Sequence, residues 1–180
     1  MRLDAVTAQD LPIPDISEAT RLRAGDPSAI AAAVHKYQHR LYRYFIRLVR
    51  DSVTADDLFQ QTWLHAVRNI HRYDPARSFD TWLFAIAHNA AIDLLRRRPG
   101  EVLVDYPAHE PDALDTLIAR ERAASVAAAL QALPAIYREA LTLRFEEGMK
   151  LEEIADVTGA NLSTVKTRVT RGLQALRRML

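Results

Sequence analysis

The sequence predicts an all-α protein made of two small helical domains joined by a flexible linker, with a helix-turn-helix in the second domain. Three observations lead to this prediction. Long runs of the 180-residue chain are rich in Ala, Leu, Arg and Glu, a composition typical of helical proteins. Apolar residues within these runs recur at spacings of three and four. Prolines and glycines cluster between the runs, where helices end.

The first predicted domain spans residues 24–98, and residues 1–23 form an N-terminal extension that is a candidate for disorder. Apolar spacing within the domain predicts three helices, and each carries one apolar stripe. Three such stripes can bury one core. The first stripe consists of Ile30, Val34, Tyr37, Leu41, Tyr44 and Leu48. The second consists of Phe59, Trp63, Val67 and Ile70, and the third of Phe79, Trp82, Leu83, Ile86, Ala90 and Leu94.

Local signals mark where these helices begin and end. Thr54 or Asp56 is a candidate N-cap for the second helix, because a short polar side chain can accept from the first free amides. Pro75, in the turn HRYDPARS, stops that helix. The third helix ends in three arginines followed by Pro99.

Residues 99–119 contain three prolines, a glycine and five acidic residues, which predicts an acidic linker. The second domain then spans residues 120–180. Pro134 suits the first turn of a helix and Gly148 suits a helix stop. The four helices predicted for this domain lie at about 120–132, 134–147, 151–157 and 163–179.

The last two of these helices have the spacing of a helix-turn-helix. LEEIADV and STVKTRVTRGLQALRR are separated by TGAN, a short turn that contains a glycine. Ser163 is the predicted N-cap of the second helix. Small Ala155 would let the two helices cross closely. The apolar residues expected to face each other are Ile154, Ala155 and Val157 from the first helix, and Val165, Val169, Leu173 and Leu176 from the second.

The outward face of the second helix mixes hydroxyls with cations. A helix fits the major groove of DNA, where Lys and Arg reach guanine acceptors and Thr offers a hydroxyl and a methyl group. The face therefore predicts binding to duplex DNA. Two alternatives stay open on this pattern alone: a solvated basic face, and a helix-turn-helix used for protein contacts. The outward residues are Thr164, Lys166, Thr167, Arg168, Thr170 and Arg171.

Charge along the chain agrees with an anionic partner, although the net charge is only +1. Residues 21–98 hold thirteen basic and seven acidic residues, and residues 120–180 hold ten and seven. Residues 99–119, between them, hold no basic residue. Basic folded segments favour a partner such as nucleic acid.

Composition and motifs exclude several classes of protein. The chain has no cysteine, and it lacks both the apolar block of a signal peptide and the roughly 20 apolar residues of a membrane span, so we expect a cytoplasmic protein. His35 and His39 are one helical turn apart, but they have no obvious third metal ligand. Motifs for phosphate cradles, nucleophiles and dinucleotides are absent. We therefore predict a protein that is not an enzyme and has no metal or cofactor.

Two stretches of the chain resemble a known family. LPAIYREALTLRFEEGMKLEEIADVTGANLSTVKTRVTRGLQALRR looks like region 4 of the extracytoplasmic-function (group IV) bacterial sigma factors. SVTADDLFQQTWLHAVRNI followed by SFDTWLFAIAHNAAIDLLRRR looks like their region 2. The two matches occur in the family's order, and together they cover residues 24–98 and 120–180. The resemblance implies a subunit that binds core RNA polymerase and directs it to promoters.

The resemblance also implies DNA contacts for particular residues. Lys166, Thr167, Thr170 and Arg171 match positions that read base edges of the −35 element, and Ser163, Thr164 and Arg168 match phosphate contacts. In region 2, HRYDPARSF matches a loop that receives a base flipped out of the melted −10 strand. The implied −10 residues are Tyr73, Arg77, Ser78, Phe79 and Asn89, with Arg96 and Arg97 on the phosphates.

Plainer interpretations of the region 2 residues stay open. Phe79 could be a core residue, Asn89 could make a hydrogen bond between helices, and the arginines that end the third helix could complement its dipole.

The resemblance implies protein partners as well. Asp56, Asp57, Gln60 and Gln61 match the segment that docks on a coiled coil of the largest polymerase subunit, although Gln61 replaces a glutamate usual in the family. An anti-sigma protein is the implied inhibitor. The alternative function is a free-standing helix-turn-helix regulator that binds duplex operators.

Overall fold

The computed structural model describes residues 16–97 and 117–180, and all regular structure in these ranges is helical. The predicted all-α class is confirmed. The helices are α1 (Ile16–Arg23), α2 (Pro27–Val49), α3 (Ser52–Arg68), α4 (Phe79–Arg97), α5 (Leu117–Ala132), α6 (Ala135–Leu141), α7 (Leu151–Thr158) and α8 (Leu162–Met179), with a 3-10 turn at Ile70–Arg72 and a π-helical turn at Thr142–Glu146.

Helices α2, α3 and α4 pack against one another and form the N-terminal module. Their apolar stripes meet in a core in which Tyr44, Phe45 and Phe84 are fully buried. The ring of Tyr44 meets Phe84 edge to face at 5.3 Å between centroids, a favourable arrangement for aromatic rings. The predicted three-helix core is therefore present.

The N-caps differ from the predicted ones. Helix α3 is capped by Asp51, whose carboxylate accepts a hydrogen bond from the backbone N–H of Thr54 at 2.8 Å. The predictions of Thr54 and Asp56 as caps are therefore wrong, because the helix begins at Ser52. Helix α2 is capped in the same way by Asp26, with a proline at its first position.

Helix α1 lies within the predicted N-terminal extension and packs against α2 and the 3-10 turn. Leu22 is only 4% exposed. Arg21 donates to the side chains of Asp26 at 3.0 Å and Ser28 at 2.6 Å, which joins α1 to the start of α2. The expectation of disorder is therefore wrong for residues 16–23, and residues 1–15 lie outside the described ranges.

The second module is built on α8, which packs against α6 and α7. Gly172 lies where α8 crosses α6: a Cβ at this position would come within 3.1 Å of Leu141 Cδ1. A side chain at this position would therefore require Leu141 to shift. The predicted helix 134–147 is divided at Thr142, where the π-helical turn begins, and Gly148 follows that turn at φ 70°.

The two modules are not separate bodies within the described residues. Helix α4 packs against α7 and helix α2 packs against α6. Leu143, Ile154, Val157 and Val165 belong to the same buried cluster as the N-terminal core. The predicted linker falls mostly outside the described residues, but α5 begins at Leu117, within its last three positions.

Buried polar groups connect α6 to the N-terminal module. Glu139 is 2% exposed, and its Oε1 accepts from the hydroxyl of Tyr44 and lies against Nδ1 of His88, each at 2.6 Å. Burial, together with this carboxylate, raises the pKa of Tyr44 well above its ordinary value, so its hydroxyl stays protonated as a donor. We call Tyr44, His88 and Glu139 the α6 latch.

Further polar contacts surround the α6 latch. Arg138 is 5% exposed and donates to the carbonyl of Leu48 at 3.1 Å. Burial, and the nearby charge of Arg50, lower the pKa of Arg138 to about 10, which still leaves it charged at neutral pH. Arg40 and Arg47 of α2 reach Glu147 at 2.8 Å and Glu146 at 3.1 Å.

Candidate nucleic-acid interface

Helix α8 begins at a side-chain cap. The N-cap is Asn161, whose Oδ1 accepts from the backbone N–H of Thr164 at 2.8 Å and from the hydroxyl of Ser163 at 2.8 Å. The prediction of Ser163 as the cap is therefore wrong, because it stands inside the first turn. Gly159, at φ 64°, ends α7 and allows the tight turn between the two helices.

One face of α8 is buried and the opposite face is open. Val165 is fully buried. Ser163, Lys166, Thr167, Thr170 and Arg171 are exposed, whereas Thr164 and Arg168 are half-buried. Among the residues that the structure describes, none forms an ion pair with Lys166, Arg168 or Arg171. Their charges are therefore available to an external anion.

The turn before α4 presents two of its predicted residues at the surface. Arg77 and Ser78 are exposed, whereas Phe79 is half-buried. Tyr73 is 3% exposed: its ring meets Phe79 edge to face at 5.2 Å, and its hydroxyl donates to the carbonyl of Arg77 at 2.9 Å. Direct stacking of a base on Tyr73 would need an exposed ring face, which this arrangement does not provide. Tyr73 instead fixes the shape of the turn.

A cleft of about 530 Å³ opens beside this turn. Its N-terminal wall offers cations, hydroxyls and the ring of Trp82. Trp82 was predicted as part of the core stripe, but it is only half-buried and also lines the cleft. Trp82 follows Ser78 by four residues, which places both on one side of the start of α4, and this spacing is the signal that could have identified it. We call this cavity the turn cleft. Its N-terminal wall consists of Arg72, Tyr73, Asp74, Arg77, Ser78, Thr81, Trp82 and Ala85.

Further predicted contacts lie along α4. Asn89 is exposed, and Arg96 and Arg97 are exposed in the last turn of the helix. The third arginine of this run, Arg98, lies outside the described residues. A basic last turn complements the negative end of the helix dipole and also suits phosphate. The position of the arginines is therefore compatible with both interpretations.

The predicted docking segment forms the outer face of α3. Asp56, Asp57, Gln60 and Gln61 are all exposed. The same helix exposes apolar side chains that the sequence analysis did not assign to a site: Val53 is 68% exposed and Leu64 is 57% exposed.

The inner face of α3 differs from its predicted stripe at one position. Val67 is 43% exposed, so its assignment to the core is wrong; Ala66 is buried in its place at 1%. Successive residues of a helix point about 100° apart, and near its C-terminal end the buried face of α3 includes Ala66 and leaves Val67 outside. The outer face of α3 is therefore mixed acidic, amide and apolar.

Two further searches concern the residues that the structure describes. They contain no group of three or more His, Asp or Glu side chains placed to hold a metal ion. None of the helices in residues 16–97 and 117–180 combines the length and apolar character required to cross a membrane.

Family models match both modules. Residues 33–99 match the sigma-70 region 2 model, and residues 123–176 match the sigma-70 region 4 model. The RNA polymerase sigma-H factor of Pseudomonas aeruginosa is 35% identical over 89% of this chain and 90% of its own length. The chain belongs to the sigma-70 family. It is an RNA polymerase sigma factor of the extracytoplasmic-function type, and the family predicted from its sequence is confirmed.

Two other relatives agree with this assignment. The extracytoplasmic-function sigma factor SigW of Bacillus subtilis is 28% identical over 89% of this sigma factor and 93% of its own length. The sigma factor RpoE of Bartonella quintana, solved with the anti-sigma factor NepR, is 25% identical and has a TM-score of 0.68. That match covers 83% of this chain and 94% of the solved chain.

Proposed function

We propose that this sigma factor reads −35 promoter DNA as duplex through α8 and holds the melted −10 strand at the turn cleft, while α3 docks it on core RNA polymerase. The observation that carries the proposal is the orientation of α8. Its basic and hydroxyl side chains face outward, opposite the buried Val165. A helix anchored on one face and polar on the other is what major-groove insertion requires.

The −35 contacts divide into two groups. Lys166, Thr167, Thr170 and Arg171 lie on the exposed face and reach base edges. Thr164 and Arg168 are half-buried beside that face, and Ser163 is exposed in the first turn of the helix. These three residues contact phosphates, which fix the position of the helix on the duplex. Base contacts then set sequence preference, while phosphate contacts set salt-dependent affinity.

The −10 contacts lie at the turn cleft and along α4. Arg77 and Ser78 bind the phosphates of a single strand, and Asn89 binds a base edge that strand separation exposes. Tyr73 and Phe79 support the turn from beneath, and Trp82 offers the ring on which a flipped base stacks. Arg96 and Arg97 add phosphate affinity at the end of α4.

Protein partners contact other surfaces. Asp56, Asp57, Gln60 and Gln61 form the polar part of a polymerase-docking face, and the exposed apolar residues of α3 extend it. An anti-sigma factor is the proposed inhibitor, since the Bartonella relative was solved with one. The proposed place of action is the cytoplasm, where core polymerase meets the chromosome. The protein acts there without catalysis of its own and without a cofactor.

Run-off transcription tests the proposal. Core polymerase with this chain should initiate from a cognate promoter selected from random DNA, whereas a free-standing duplex-binding regulator would not enable initiation. Arg171→Ala should weaken binding to the −35 duplex by ~1–3 kcal/mol. The matched control is Arg177→Ala, which removes the same charge from an exposed position of α8 outside the proposed contacts. Equal losses in the two variants would contradict the assignment of Arg171.

A further inference from the structure

One carboxylate joins the start of α4 to α2. Asp80 is the second residue of α4 and follows Phe79 directly. Its Oδ2 accepts from the hydroxyl of Tyr37 at 2.6 Å, and its Oδ1 lies 2.7 Å from Nη1 of Arg40. Both carboxylate oxygens therefore have a partner on α2. We call Tyr37, Arg40 and Asp80 the α2 anchor.

Tyr37 holds two consecutive residues of α4 at once. It is 3% exposed, and its ring lies 5.4 Å from the ring of Phe79 between centroids, while its hydroxyl binds Asp80. Burial, together with this hydrogen bond, raises the pKa of Tyr37, so its hydroxyl stays protonated as a donor. The ring and the hydroxyl thus fix the position of Phe79 and Asp80 on α2.

The turn before α4 is held at its other side by Tyr73, whose hydroxyl donates to the carbonyl of Arg77 at 2.9 Å. The exposed side chains of Arg77 and Ser78 extend from the backbone between this contact and the α2 anchor. A binding site whose backbone is fixed before the ligand arrives loses less conformational freedom on binding. The two tyrosine hydroxyls therefore prepare the turn for a ligand.

We infer that Tyr37 and Asp80 are positioning residues for capture of the melted −10 strand, because they fix the start of α4 that carries the strand-binding turn. The inference rests on the proposed function, which makes this turn part of the −10 site. Stacking and hydrogen bonds to a base depend strongly on geometry, whereas attraction to phosphate falls slowly with distance. Loss of the α2 anchor therefore reduces selectivity among strand sequences more than it reduces attraction to any strand.

Strand selectivity of the complex with core polymerase tests the inference. Fluorescein-labelled single strands carry either the −10 sequence of a promoter selected from random DNA or a scrambled copy of it. Anisotropy gives the affinity of the complex for each strand, and the ratio of the two affinities is the selectivity. This ratio is insensitive to partial unfolding of a variant, because an inactive fraction changes both apparent affinities by the same factor.

The variants remove the contacts of the α2 anchor one at a time. Tyr37→Phe keeps the ring against Phe79 and removes only the hydroxyl. Asp80→Ala removes the carboxylate, whereas Asp80→Asn keeps an oxygen that can accept from Tyr37. The matched control is Tyr44→Phe, which removes a 2.6 Å hydrogen bond to a carboxylate from another buried tyrosine of α2.

Selectivity should fall about fivefold in Tyr37→Phe and about tenfold in Asp80→Ala, with Asp80→Asn between wild type and Asp80→Ala. Tyr44→Phe should change selectivity by less than about twofold, although it loses an equivalent hydrogen bond. Binding to the −35 duplex should stay unchanged in all four variants. Unchanged selectivity in Tyr37→Phe or Asp80→Ala would overturn the inference, and so would an equal fall in Tyr44→Phe.

Wild-type behaviour separates this outcome from a failure of the proposed function. If the wild-type complex prefers the selected −10 strand and the variants keep that preference, only the positioning role is wrong. If the wild-type complex binds the selected and scrambled strands equally, the −10 part of the proposed function itself fails.

Discussion

Removing the hydroxyl of Tyr44 should destabilise the protein measurably without changing its packing. Tyr44 is fully buried, so Tyr44→Phe keeps the ring in place and leaves no cavity that water would fill. It does remove the 2.6 Å hydrogen bond to Glu139, a carboxylate that is 2% exposed. Hydrogen bonds to charged groups contribute about 1.5–3 kcal/mol. Because His88 still contacts the carboxylate, we expect a loss of about 2 kcal/mol in the free energy of unfolding.

Urea unfolding followed by circular dichroism measures this loss. The urea concentration at the midpoint of unfolding should fall. The slope of the unfolding free energy against urea concentration should stay constant, because the surface exposed on unfolding is unchanged. Tyr137→Phe is the matched control, since its hydroxyl makes no hydrogen bond among the residues that the structure describes. A loss below about 0.5 kcal/mol for Tyr44→Phe, or an equal loss for the control, would refute the reasoning.

Three further predictions concern helix ends, helix crossing and strand separation. Asn161→Ala should lower the free energy of unfolding by about 1 kcal/mol, whereas Ser163→Ala should change it by less than half as much. Thermal unfolding of the two variants measures both losses. A larger loss for Ser163→Ala would contradict Asn161 as the cap. Gly172→Val should lower the free energy of unfolding by ~1–3 kcal/mol, because the new side chain meets Leu141. Urea unfolding measures this loss, and an unchanged midpoint would show that α6 and α8 separate easily. Asn89→Ala should leave −35 duplex binding intact and reduce promoter opening, measured by permanganate footprinting; normal open complexes would contradict its assigned role.

Much of the architecture follows from apolar spacing, because a helix that buries one face repeats every three or four residues. The stripe from Ile30 to Leu48 lies against the core as predicted, with Leu41 and Tyr44 fully buried. Helix ends were harder to predict. Asp51 and Thr54 are both good cap residues by type, and tertiary packing decides where the first turn begins.

The contacts between modules could not be predicted from the sequence. Arg138 and Glu139 have the composition of a solvated helix face, yet both are buried because residues more than 40 positions away supply their partners. The same non-local packing brings Glu153 and Asp156 of α7 to the turn cleft. The DNA and polymerase contacts themselves stay predictions, because they depend on the shape of the partner as well as on this chain.

The shared core has a consequence for how the protein melts. Two helical units on a tether would be expected to absorb heat in two steps, one for each unit. Here Leu143, Ile154 and Val157 are buried together with residues of the first unit, so loss of one half uncovers apolar surface on the other. Calorimetry of the free chain should therefore show one cooperative peak, and disruption of the contact between the halves should divide it into two.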